Sequence, residues 1–170
     1  MQRILIIGCC GAGKSVLARR LGKRLRLPVH HLDRLWWQPG WQEKAREQFD
    51  AELADLLRQD RWIIDGNYQR TLAERLQYAD TVILLQYSRR RCFWQTFKRR
   101  WQYRRRNRED LAAGCPERLN REFLRYIWTY NRAMLPRVLA VLRERNESTT
   151  LVVLKTPRET ERFLASLPAF

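Results

Sequence analysis

The clearest chemistry lies near the start of the chain, in Gly8-Cys9-Cys10-Gly11-Ala12-Gly13-Lys14-Ser15. The spacing Gly8–x4–Gly13–Lys14–Ser15 is that of a phosphate-binding loop, the P-loop. Glycines let the backbone take tight, partly left-handed turns that a Cβ would block. Successive N–H groups can then point inward around a phosphate, and the start of the following helix adds its dipole. Lys14 would reach the β- and γ-phosphates and the Ser15 hydroxyl would ligate magnesium. Gly8, Gly11, Ala12, Gly13, Lys14, Ser15 and Val16 are therefore the expected nucleotide-binding residues, with ATP and Mg²⁺ as the ligands they imply. The two loop cysteines read as small residues that fit beside a phosphate.

Two carboxylates fall where such a ligand needs partners. Asp33 and Asp65 each close a short apolar run, at the edge of an open α/β sheet where ligands bind. Asp65, after Trp62-Ile63-Ile64, is placed to hold magnesium directly or through water. Asp33 can orient or deprotonate an acceptor hydroxyl opposite the γ-phosphate. His30 and His31 have no third donor at metal-ligand spacing and read as strand-end residues, with substrate contact the alternative for His31.

These residues need a scaffold, and the hydrophobic pattern supplies one. Continuous apolar runs at 2–8, 29–32, 62–64, 81–86 and 151–154 read as strands buried on both faces. Helical spacing marks 14–26, stopped by Pro28, then 42–58, a short helix at 70–77, and 89–106. A further helix covers 118–144, kinked or broken by Pro136, and 157–167 closes the chain with proline in its first turn. Strands alternating with helices predict a single α/β domain over residues 1–170, a parallel sheet with helices on both faces. The stretch 107–118 has the turn residues of a mobile loop.

Residues 89–108 hold ten basic side chains and no acidic one. Phe93, Phe97 and Trp101 recur at i, i+4 and i+8 and are expected to be its buried stripe, with Trp94 and Tyr103 off it. Three roles compete for this helix: an arginine lid over the transferring phosphate, a nucleic-acid contact, or a solvated basic face. Trp36, Trp37 and Trp41 pose a similar choice between sandwiching a base or sugar and packing a helical region over 34–58.

Composition bounds the rest. The chain has 170 residues, is 45% hydrophobic and carries a formal net charge of +16, an excess that favours polyanionic partners. No apolar run approaches the ~18–20 residues of a membrane span, so a cytoplasmic protein without membrane contact is expected. Four cysteines without a CxxC pair argue against a disulfide framework or a zinc site. Monomer and homodimer both stay open.

Taken together, GCCGAGKS, His31-Leu32-Asp33, the segment Trp36-Trp37-Gln38-Pro39-Gly40-Trp41 and Trp62-Ile63-Ile64-Asp65-Gly66-Asn67-Tyr68 resemble the DNA topology modulation (FlaR-type) family, itself similar to adenylate kinase and other small-molecule P-loop kinases. The resemblance runs over about residues 1–167. It implies the P-loop NTPase three-layer sandwich with sheet order 2-3-1-4-5, and an ATP-Mg-dependent transfer to a nucleotide or another small polar acceptor. A nucleotide-regulated, DNA-binding ATPase is the alternative. Asp65–Thr71 is similar to the DGFPRT segment of adenylate kinases, which would bring Gly66 near the acceptor and Arg70 onto its anionic group. Arginines of 99–108, Arg100 and Arg104 among them, would match lid arginines, and Lys155–Arg158 would border the adenine. The Trp-rich stretch after Asp33 puts Trp36 on the acceptor side.

Overall fold

Five parallel strands form the centre of the computed structural model, which describes residues 1–103, 110–112, 114–116 and 119–168. In chain order the described elements are β1 (Arg3–Gly8), α1 (Lys14–Leu25), β2 (Val29–His31), α2 (Leu32–Trp36), β3 (Trp37–Gln38), β4 (Gln42–Glu43) and α3 (Arg46–Leu57). There follow β5 (Trp62–Asp65), a 3₁₀ turn at Gln69–Thr71, α4 (Leu72–Tyr78), β6 (Thr81–Leu85) and α5 (Arg89–Gln102). Then come α6 (Arg121–Ala133), α7 (Leu135–Arg143), β7 (Thr150–Leu154) and α8 (Pro157–Ser166). The sheet runs β2-β5-β1-β6-β7. Numbering only these five strands, that is the expected order 2-3-1-4-5.

The register fixes the chemistry. His31 lies beside Asp65 across the β2/β5 pair, and Ile6 lies on the other side of Asp65. Gly8 pairs with Leu85 of β6. The C-terminal ends of four neighbouring strands thus meet at the loop 8–13. Ile4–Ile7, Trp62–Ile64 and Val82–Leu85 are buried, as strands covered on both faces require.

Several local expectations are corrected. β2 ends at His31, and Asp33 sits in the first turn of α2 rather than at a strand end. The region 34–58 is not wholly helical: Trp37–Gln38 and Gln42–Glu43 form a small antiparallel hairpin around Pro39-Gly40. α5 ends at Gln102, and positions 104–106 lie outside the described residues. The break expected at Pro136 is present: the stretch is two helices that meet at Met134, with the proline in the first turn of α7. The described parts of 107–118 contact the hairpin. Gly40 N–H donates to Gly114 O (3.1 Å), Trp41 Nε1–H to Pro116 O (3.0 Å) and Cys115 Sγ–H to Gln38 O (3.2 Å).

The stripe expected on α5 is also corrected. The side chains it buries are Cys92 and Thr96. A Cβ on Gly11 would lie 2.2 Å from Cys92 O and 2.5 Å from Thr96 Oγ1. The phosphate loop therefore presses against α5 so closely that position 11 has no room for a Cβ. Phe93, Phe97 and Trp101 rotate away: Phe93 packs edge-on against Trp128 of α6 at 5.7 Å, and Trp101 is 78% exposed.

Candidate active site

The loop between β1 and α1 curls through two left-handed glycines, Gly11 (φ 81°) and Gly13 (φ 90°). Gly13 precedes the first turn of α1, whose N-terminal N–H groups have no side-chain cap. Such a turn presents backbone donors and a helix dipole to an anion. Lys14 Nζ lies across the loop and donates to Gly8 O (3.0 Å) and Cys9 O (3.2 Å). Only one of the two loop cysteines faces the ligand side. Cys10 lines the cavity, whereas Cys9 is buried against the Cys92 thiol, a contact that with burial pushes the Cys9 thiol well above its ordinary range.

Ser15 Oγ–H donates to Asp65 Oδ2 (2.8 Å), and the other Asp65 oxygen meets His31 Nδ1. A hydroxyl and a buried carboxylate are hard oxygen donors of the kind magnesium takes, the ion usually completing its shell with waters and substrate phosphates. Among the described residues no cluster of three or more His, Cys, Asp or Glu side chains could hold a metal by itself. The donor set therefore fits a magnesium that arrives with a nucleotide.

The loop opens into a cavity of about 810 Å³, a size ordinary for small-molecule sites. Gly11, Ala12, Gly13, Lys14, Ser15 and Val16 form its floor. Asp33, Trp37 and Trp41 line one side, with the Trp37 and Trp41 rings edge-to-face at 5.2 Å. Arg91, Lys98 and Arg99 of α5 line another, and Pro157, Thr160 and Glu161 of α8 a third.

Not every expected residue reaches this cavity. Arg100 does not line it, because one step around the helix from Arg99 turns the side chain about 100° away. Arg104 lies outside the described residues. Arg158 is exposed and off the cavity wall, which α8 builds from Pro157 and Thr160. Arg70 turns outward onto Asp50, with Nη1 and Nη2 at 2.8 and 2.6 Å from its oxygens. Trp36 packs edge-on against Phe49 (5.1 Å) beside a second, smaller cavity of about 260 Å³. Gly66 (φ 142°) is close to a protein side chain rather than to open space: a Cβ there would meet Leu32 Cβ at 2.8 Å.

Three residues without an expected role organise the site. Asn67 Oδ1 accepts from the Gly8 N–H (3.0 Å), tying the loop to the end of β5. Tyr68 O–H donates to Asp33 Oδ1 (3.0 Å). Arg75, fully buried, donates to Gly66 O (3.0 Å), Asn67 O (2.7 Å) and Tyr68 O (2.8 Å). Burial pushes the Arg75 guanidinium down to about 10, so it stays charged at neutral pH. The signal in the sequence is slight: an arginine within a short, otherwise amphipathic helix.

No family model matches the chain, and no curated protein does, so the likeness to the FlaR-type family stands on the quoted motifs alone. Solved structures do match. A shikimate kinase from Acinetobacter baumannii in complex with shikimate superposes with a TM-score of 0.63 at 13% identity, over 97% of this chain and 89% of that one. A shikimate kinase from Bacteroides thetaiotaomicron gives 0.52 at 14% identity, over 96% and 94%. A deoxyadenosine kinase from M. mycoides with bound dATP gives 0.52 at 14% identity, over 95% and 97%. The fold is that of the small P-loop kinases.

Proposed function

We propose that this protein is a magnesium-dependent phosphotransferase of the cytosol that moves the γ-phosphoryl group of ATP to a nucleotide or another small polar acceptor. One observation carries the reading: the phosphate loop with Lys14 and Ser15 and the Asp33 carboxylate line a single cavity. The similar structures bear kinase names, and one of them holds shikimate and another dATP.

Phosphoryl transfer needs positioning and charge neutralisation more than covalent chemistry. The loop N–H groups would bind the phosphates, and Lys14 would exchange its two carbonyl contacts for phosphate oxygens. Ser15 and Asp65 would hold magnesium, which supplies charge neutralisation on the phosphates. Asp33 would accept the proton of the attacking hydroxyl. Arg91, Lys98 and Arg99 supply positive charge from α5, the part that Arg100 and Arg104 were expected to play. Trp37 and Trp41 offer flat apolar walls beside Asp33, suited to a ring-bearing acceptor.

The test is ADP release from ATP with magnesium across a panel of nucleosides, nucleotides, sugars and hydroxy acids. At least one acceptor should raise the rate well above the water-only background. A flat response across the whole panel would sink the kinase reading.

A second reading rests on a separate observation. Trp94 is 71% exposed and Trp101 78%, with Phe97 between them and Arg90 and Lys98 beside them on α5. Exposed aromatics among arginines suit single-stranded nucleic acid, with stacking on the rings and phosphates on the cations. A nucleotide-regulated DNA-binding ATPase would use this face. Single-stranded DNA affinity should then fall steeply with salt. Changing Trp94 and Trp101 to alanine should weaken binding by roughly tenfold or more. Equal affinity of the double variant and the native chain would remove this reading.

A further inference from the structure

Tyr68 lines the second cavity and is hydrogen-bonded to a residue that lines the main one. Its ring stacks on Phe49 (5.6 Å between centroids, 28° between planes) and leans on Trp36 (6.1 Å), lining the smaller cavity. Its hydroxyl crosses to Asp33, which lines the larger one. The backbone at Tyr68 has φ 22° and ψ 73°, a conformation that a bulky L-residue adopts only under constraint. Here the constraint is visible. Arg75 holds the carbonyls of residues 66, 67 and 68, and Thr71 N–H and Oγ1–H both donate back to Tyr68 O. A strained backbone held from both sides positions a side chain more tightly than a relaxed loop does.

We infer that Tyr68 is a positioning residue of the transfer reaction, its hydroxyl fixing the Asp33 carboxylate so that the carboxylate faces the acceptor. The inference rests on the kinase reading for its consequence, and on the contact itself for its geometry. Asp33 belongs to a five-residue helix and is exposed, so its own element gives it little rigidity. Tyr68 comes from a different element, one anchored to β5 and, through Asn67, to the phosphate loop. The same short turn thereby sets the spacing between the loop, which would hold the donor, and the carboxylate, which would meet the acceptor. Burial and the nearby Asp33 charge both push the Tyr68 phenol far above its ordinary range, which keeps it a proton donor at every working pH. Reorienting a reacting group by about an ångström is enough to cost up to ~100-fold in rate.

Tyr68→Phe removes the hydroxyl and keeps the ring in its aromatic cage. With the acceptor found in the panel, kcat should fall roughly 10- to 100-fold while KM for ATP stays within about twofold. In an Asp33→Asn background the same change should cost nothing further, because the two act as a unit. An unchanged kcat, a loss shared equally with ATP affinity, or full additivity with Asp33→Asn would overturn the role. A readout independent of turnover separates this from the kinase reading. The ¹³C resonance of the Asp33 carboxyl, identified by its loss in Asp33→Asn, should move in Tyr68→Phe, and an unmoved resonance would refute the contact whether or not any acceptor is phosphorylated.

Discussion

Lys14→Ala should lower phosphoryl transfer by roughly 10²- to 10³-fold at saturating ATP, the cost typical of losing one preorganised charge at a reacting centre. The expectation follows from where Nζ lies. It bridges Gly8 O and Cys9 O across the mouth of the loop, at the lip of the cavity floor. An ammonium there can leave two neutral carbonyls for charged phosphate oxygens, and charge-assisted bonds are about twice as strong as neutral ones. The carbonyls it leaves are only part-buried, so water can take its place and the variant should fold normally. Initial rates and a melting curve on the same preparation check both halves. Transfer within twofold of the native rate would remove Lys14 from the chemistry. A collapse of folding together with rate would assign it a structural role instead.

Arg75→Leu carries the largest expected effect on stability. Arginine is seldom fully buried, and here no described carboxylate pairs with it; its partners are backbone carbonyls of one turn. Removing the guanidinium takes the donor from Gly66 O and Asn67 O, at ~1–3 kcal/mol for each that water cannot reach, while Tyr68 O keeps the Thr71 N–H and hydroxyl. A net loss of about 3–5 kcal/mol is expected, since relief from burying a charge offsets part of the cost. For a chain of this size that lowers the melting temperature by about 10 °C. The Lys variant should fall between, because one ammonium cannot span three carbonyls as a planar fork does. The turn also carries Asn67, which holds Gly8 N–H, so ATP affinity should weaken in the folded fraction. A Leu variant melting within ~2 °C of the native protein would show that the turn keeps its shape without the arginine.

The contrast between Lys14 and Arg75 explains what can be read from this sequence. The phosphate loop and the central sheet are local features. Ile4–Ile7, Trp62–Ile64 and Val82–Leu85 announce buried strands by continuous apolarity, and the glycine spacing announces the loop regardless of what packs on it. Asp65 follows from its place at a strand end, and the register brings it to Ser15.

The remainder depends on approaches between distant segments. Nothing within 89–102 says that Cys92 and Thr96 face inward; that is set by how near Gly11, far earlier in the chain, comes to them. The aromatic period of Phe93, Phe97 and Trp101 is real, but it marks the face turned to α6 and to solvent. Arg70 and Arg75 are a similar case. The resemblance to an adenylate kinase segment favours Arg70, yet Asp50 of α3 captures it, while Arg75 points back along α4 into the turn. The Pro39-Gly40 pair did carry a hairpin signal, outweighed by the helical spacing that follows it in α3. Its docking on 114–116 depends on a segment far along the chain.

The central claim is that loop 8–15 binds ATP with magnesium for transfer, and calorimetric titration of ATP into the native chain and into Lys14→Ala tests it most directly. The account predicts one saturable site per chain that tightens when magnesium is added and weakens at least tenfold in the variant. No saturable binding to the native chain, or an affinity indifferent to both magnesium and Lys14, would contradict it.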